Sequence, residues 1–172
     1  MSRLTSMSPQ AIKAMFSPDS DDTLITLLTM YDPVTNLPVV RLADNFVTRV
    51  SETEDEVYYG VNSRGNSFIF LPLEITLPAE EDNTAPSCEI VINDVTRYII
   101  PIIRQLSEPP KVLMELVLAS SPDTVELYFS DFYISNITYN ASSVSLSLEM
   151  INYSREPFPC YSFTPAFFPG LF

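Results

Sequence analysis

Acid–base chemistry near neutral pH usually begins with histidine, and this chain has none. With it go the commonest general base, the usual partner of a nucleophilic serine and the usual nitrogen ligand of zinc. The two cysteines, Cys88 and Cys160, form no CxxC pair, so neither a structural zinc nor an iron–sulfur cluster is indicated. They read as two small buried hydrophobes. The three glycines, Gly60, Gly65 and Gly170, are too sparse for a phosphate-cradling loop. What remains is carboxylate: Glu52, Glu54, Asp55 and Glu56 in one run, Glu80, Glu81 and Asp82 in another. A calcium loop alternates its oxygen ligands around a glycine, and the first run lacks that glycine. A glycosidase pair needs one carboxyl raised by an apolar site, whereas both runs lie in stretches expected to be solvated. The sequence therefore predicts no catalytic residue, no metal, no cofactor and no enzyme.

Composition narrows the remaining classes. With 46% hydrophobic and 18% charged residues, the 172-residue chain can bury one substantial core. The net charge is −13, and such a surface repels DNA phosphates and anionic lipid, so neither nucleic acid nor membrane is an expected partner. No apolar run approaches ~18 residues, and the first residues, MSRLTSMSPQ, contain no apolar run or cleavage site, so neither a spanning helix nor a signal peptide is expected. Asn136, Asn140 and Asn152 head glycosylation sequons that carry no weight without a secretory signal. Fifteen prolines against three glycines imply a backbone turned by rigid corners.

The elements follow from period and punctuation. Ser8-Pro9 is a helix start, with Ile12, Met15 and Phe16 on one face and the end at Pro18. Strands are predicted over 23–31, 37–42 and 46–50, the first two as a hairpin turned by Asp32-Pro33 and Asn36. Another runs over 67–77, where Pro72 predicts a bulge or an edge, and another over 87–93, with Cys88, Ile90 and Ile92 on one face. A second helix is predicted over 94–106, kinked or split by Pro101. Then come strands over 111–119, 124–130 and 131–139, with a turn at 121–123 and a slip near Ser135-Asn136. The last, over 142–150, has the cleanest two-residue period: Val144, Leu146, Leu148 and Met150 alternate with Ser143, Ser145, Ser147 and Glu149. Its small outer hydroxyls suit a packed neighbour or a wet lumen equally well. The prediction is a mainly β domain over 1–154, a β-sandwich or partly closed barrel of about nine short strands. One or two short helices flank it, the first near 9–16.

Residues 155–172, REPFPCYSFTPAFFPGLF, form an arm of different character. Pro157, Pro159, Pro165 and Pro169 forbid a regular helix or central strand, and no charge follows Glu156. Its aromatics must fold back over their own domain or lie on a neighbouring subunit. As the anchors of a subunit lock the candidates are Phe158, Tyr161, Phe163, Phe167, Phe168 and Phe172, with Pro169, Gly170 and Leu171 shaping the end.

Taken in order, FIFLPLEITLPAEEDNTAPSCEIVINDVTRYI, EPPKVLMELVLASSPDTVE, a strand pair and the ending EPFPCYSFTPAFFPGLF resemble a family of small proteins. These are encoded among the tail-tip genes of long-tailed, non-contractile phages. More faintly, the order is similar to the N-terminal domain of minor tail protein L of lambda-type phages. The resemblance spans residues 24–172 and is most specific in FTPAFFPGLF. It implies a virion protein made in the bacterial cytoplasm, with a domain related to the tail-tube sandwich. It would form a homo-oligomeric ring about the tail axis, a trimer rather than a hexamer. Its other partners would be the distal tail or tube protein above and the central fibre or spike hub protein below. The lambda-type protein continues into a cysteine-rich domain that resembles an iron–sulfur module. This chain has only Cys88 and Cys160, so that role does not transfer.

Two other readings compete. One is a monomeric sandwich binding host glycans, with Tyr58, Tyr59 and the acidic loops lining its site, although the absence of tryptophan weakens a sugar platform. The other is a tail-assembly factor absent from the finished virion. The tail-tip reading also predicts carboxylates enriched on the wall facing the axis, with Glu52, Glu54, Asp55, Glu80, Glu81 and Asp82 as loop candidates.

Overall fold

The computed structural model describes residues 7–17, 22–52, 57–76, 87–93, 99–140, 143–150 and 170. They form helix α1 (Pro9–Phe16), strands β1 (Leu24–Tyr31), β2 (Pro38–Ala43), β3 (Thr48–Glu52), β4 (Val57–Ser63), β5 (Asn66–Phe70), β6 (Leu73–Thr76) and β7 (Ser87–Ile92), helix α2 (Ile99–Gln105), and strands β8 (Lys111–Leu118), β9 (Ser121–Tyr139) and β10 (Val144–Met150). The fold is mainly β with two short helices, as the sequence predicts. All ten strands join one sheet in the order β3-β4-β5-β2-β1-β8-β9-β10-β7-β6. Its two ends do not meet, so the sheet stays open and a closed barrel is excluded.

The centre is antiparallel and strongly apolar. β1 pairs with β2 on one side and with β8 on the other. One face of this centre carries Leu28, Met30, Val40, Leu42, Val112 and Met114, and the same cluster continues through Phe132, Leu146, Leu148 and Ile90. α2 lies against this face and sinks Ile99 into it completely. Each such side chain removed from water contributes about 1.5–3 kcal/mol, which makes this layer the main source of stability.

On the opposite face the sheet folds over itself. β5 joins β2 through only two parallel pairs, Leu42↔Ile69 and Ala43↔Phe70. Beyond that seam the hairpin β4–β5 swings back across β1 and β8, and Val61 and Phe68 cover Ile25, Leu27, Ala43 and Val117. The result is sandwich-like, with β3, β4 and β5 forming a flap over the central strands. Two glycines make the flap possible. Gly65, with φ +74°, and Arg64, with φ +50°, occupy the left-handed region at its turn. At Gly60 a Cβ would stand 1.8 Å from the Phe68 carbonyl oxygen, so only glycine lets β4 approach β5 there.

Local readings hold in several places. Ser8 caps α1 and Pro9 opens it. β7 buries Cys88, Ile90 and Ile92, and β10 buries Val144, Leu146 and Leu148. The slip near Ser135-Asn136 is a real register shift, since Asn136 faces Ser147 while Ile134 faces Leu148. Pro72 divides the long predicted strand in two, and the second piece, β6, is a sheet edge.

Other readings require correction. Segments 124–130 and 131–139 are one 19-residue strand, and the turn lies at Ala119-Ser120, ahead of the predicted 121–123. Pro122 is tolerated inside β9 because its pairing with β8 is irregular there, and its carbonyl accepts from Ser63 Oγ at 2.7 Å. Of the helix predicted over 94–106, Ile99–Gln105 is helical and includes Pro101, while 94–98 lie outside the described residues. α1 buries Ala11 against Met7 and Leu118 with Ile12 packed beside them, leaving Met15 43% and Phe16 69% exposed.

Candidate assembly surfaces

Two buried carboxylates, Glu115 of β8 and Glu126 of β9, organise the flap and the first helix. Glu115 sits in KVLMELVL and is only 7% exposed. Arg64, at the flap turn, donates Nη1 to Glu115 Oε1 at 2.9 Å and Nη2 to Oε2 at 2.6 Å. This two-point pairing matches the guanidinium fork to the carboxylate plane. Its hydrogen bonds to Glu115 raise the already high pKa of Arg64 further, so the guanidinium stays charged throughout the working range. The Arg64 backbone N–H donates to Asp123 Oδ1 at 2.5 Å, and buried Ser63 holds Pro122. The flap is thus pinned to the β8–β9 hairpin at both backbone and side-chain level.

Glu126 plays the same part for α1. It is 7% exposed and accepts from Ser8 N–H at 2.7 Å and Ser8 Oγ at 2.8 Å. The same Oγ accepts from the Ala11 N–H at 3.1 Å. One serine therefore caps the helix and clips it to the sheet, and the clip sets the rotation that turns Ala11, rather than Met15 or Phe16, toward the body. Sequence reasoning missed Glu115, Glu126 and Arg64. For Glu115, a solitary acid in an otherwise apolar strand was the available signal, because a buried charge requires a partner.

The outer face of β6, β7, β10 and the second half of β9 is mainly polar. Strand pairing places Ser145 beside Val91 and Thr138, Ser147 beside Glu89 and Asn136, and Glu149 beside Ser87 and Tyr133. Glu74 and Thr76 of β6 extend the same face next to Val91 and Glu89. No lysine or arginine occurs anywhere in β6, β7, β9 or β10. Glu74, Glu89 and Glu149 therefore share a hydroxyl-rich wall with no base among the residues of those strands.

Two exposed apolar sites accompany this wall. Phe46 packs against Tyr59 and Phe70 with ring centroids 5.6 and 5.2 Å apart, beside exposed Val47 and Val57. A groove of about 470 Å³ runs along β9, lined by Val125, Glu126, Leu127, Tyr128, Phe129, Ser130, Phe132 and Met150.

Most residues singled out from the sequence lie elsewhere. Phe158, Tyr161, Phe163, Phe167, Phe168, Pro169, Leu171 and Phe172 are outside the described residues, and Gly170 is described and exposed. Glu54, Asp55, Glu56, Glu80, Glu81 and Asp82 are outside them as well, while Glu52 is exposed and paired with Arg49. Tyr58 and Tyr59 are successive residues of β4 and point to opposite faces, so they do not share one sugar-binding platform. Cys88 is buried, and burial pushes its thiol up to about 11, leaving it protonated and unreactive. Among the described residues no group of three or more acidic or cysteine side chains is placed to hold a metal, and no helix is long and apolar enough to cross a membrane.

The chain matches no protein-family model and no curated protein.

Proposed function

We propose that this chain is a structural subunit of the tip of a long non-contractile phage tail. It is a hub or distal-ring protein that joins the tail tube to a central fibre or spike protein and lines the channel through which DNA leaves. The observation that carries this reading is the outer face of β6, β7, β10 and β9. It presents Glu74, Glu89 and Glu149 among serine, threonine and asparagine, on strands that contain no basic residue. Such a wall repels phosphates at short range and gives passing DNA nothing to adhere to. The resemblance of residues 24–172 to tail-tip proteins supports the same reading, as does the net charge of −13. Glu74, Glu89 and Glu149 are the wall candidates among the described residues; of the loop candidates named from the sequence, Glu54, Asp55, Glu80, Glu81 and Asp82 lie outside them.

In this reading the copies form a ring, three in preference to six, and the uncharged aromatic arm after Glu156 holds neighbouring subunits together. The test is a cryo-EM map of the tail tip in purified particles, with mass spectrometry of the same particles. A ring of this chain with the Glu89 and Glu149 wall toward the axis is the expected result. Absence from the particle would make it an assembly factor instead, and a wall facing outward would remove the channel role.

A further inference from the structure

Lys111, the first residue of β8, lies in a row that crosses three strands. It faces Tyr31 of β1 on one side and Tyr133 of β9 on the other, so the three side chains share one face of the sheet. Further along β8 the same face carries Glu115 and Val117, where the flap covers it. An open cleft of about 360 Å³ lies beside Lys111, toward the β1–β2 turn. Its polar lining is Tyr31, Asn36, Lys111 and Ser130, with Val112 and Leu113 between them. Lys111 is the one charged residue among the described residues that line it.

We propose that this cleft binds a carboxylate carried on a short apolar stem. Lys111 forms no ion pair among the described residues. Two acids in this part of the molecule are already engaged. Asp32 accepts from the Val34 N–H at 3.1 Å and from Thr35 Oγ1 at 2.7 Å, and Glu115 is held by Arg64. The ammonium is therefore left for an anion from outside. In a chain of net charge −13 such a site draws in one negative charge, while the surroundings repel a more highly charged group. One amine beside hydroxyl and amide donors matches the single charge and two oxygens of a carboxylate. A phosphate dianion is better served by several cations or an arginine fork. Arg41 stands on the same face, beside Thr29, but does not line the cleft. Half-buried Leu113 gives the stem an apolar wall. A free acid and a glutamate of another chain present the same group to Lys111, and the experiment separates them. The assignment goes beyond the tail-tip reading and stands or falls without it.

The test is a titration of the full-length, isotope-labelled chain, followed through its amide chemical shifts at constant ionic strength. Sodium pentanoate and a blocked tripeptide with one central glutamate carry the group. Pentanamide is the neutral control and inorganic phosphate the anionic one. Saturable shifts at Tyr31, Asn36, Lys111 and Leu113 are expected with at least one carboxylate probe, and none with pentanamide. Lys111→Gln should weaken binding at least about fivefold, and Lys111→Arg should keep most of it. Lys111 is exposed, so both variants should fold as the parent does. Tighter binding of the peptide assigns the carboxylate to a protein chain, tighter binding of pentanoate assigns it to a free acid, and either supports the site. Four results would overturn it: no saturable shift with either carboxylate, equal shifts with pentanamide, tighter binding of phosphate, or binding unchanged in Lys111→Gln. Each of them leaves the tail-tip reading to its own test.

Discussion

Glu115 owes its place in an apolar strand to a single side chain. Arg64 supplies both hydrogen bonds that compensate its charge, and Arg64 is itself part-exposed, at 40% of its side chain. Arg64→Leu leaves a carboxylate beneath the flap without its partner and is expected to cost about 2 kcal/mol in urea denaturation. Changing both members to leucine should recover much of that loss, because the uncompensated charge is what destabilises. Asp44 works in the opposite sense. Burial raises its pKa above the ordinary aspartate value, against a hydrogen bond from the Thr26 N–H at 2.8 Å. A raised carboxyl contributes its stability below its unfolded pKa and loses it as pH climbs through the folded value. Asp44→Asn keeps the acceptor and removes the charge. Its urea midpoint should lie above the parent's at pH 7, with the gap closing as pH falls toward 4. An unchanged gap across that range would show that desolvation at Asp44 is not the cause.

Elements were legible where one local rule dominated. Ser8-Pro9 marks the start of α1, the alternation in 144–150 marks β10, and the break in alternation at Ser135 marks the register shift, because cap chemistry and the two-residue period act within a few residues. Orientation was not legible for α1, since the clip that rotates it comes from Glu126, more than a hundred residues away. Ser8→Ala removes the cap and the hydroxyl half of the clip, leaving the backbone N–H on Glu126, and should cost about 2 kcal/mol, more than the ~1 kcal/mol of an ordinary cap, by thermal or urea unfolding. The long β9 was missed because Pro122 reads as a turn until the β8 pairing is known. At the flap, Gly60→Ala sets a methyl 1.8 Å from a backbone oxygen that cannot yield, and the strands must part. A loss of about 3 kcal/mol or more is expected, and a variant within 1 kcal/mol of the parent would contradict the close approach.

For the whole molecule, fold class was readable from composition and period, and the absence of histidine carried the prediction of no catalysis. The polar wall was only half readable. The serines of β10 were evident, but Glu74, Glu89 and Glu149 come from three separate segments, and strand pairing alone brings them together. Assembly belongs to this scale. If the arm holds neighbouring subunits, a chain lacking 164–172 should unfold at the same denaturant concentration as the parent within about 0.5 kcal/mol. Its oligomers, followed by light scattering after size exclusion, should be depleted at least tenfold. Normal oligomers would show that the arm does not lock neighbours.

The two-rung join between β2 and β5 has a mechanical corollary. A load drawn along the chain meets a long shear contact in β8 against β9 but only the pairs Leu42↔Ile69 and Ala43↔Phe70 at the join. Under tension the flap yields first, opening like a page on its spine while the central strands hold, once the Arg64 clasp lets go.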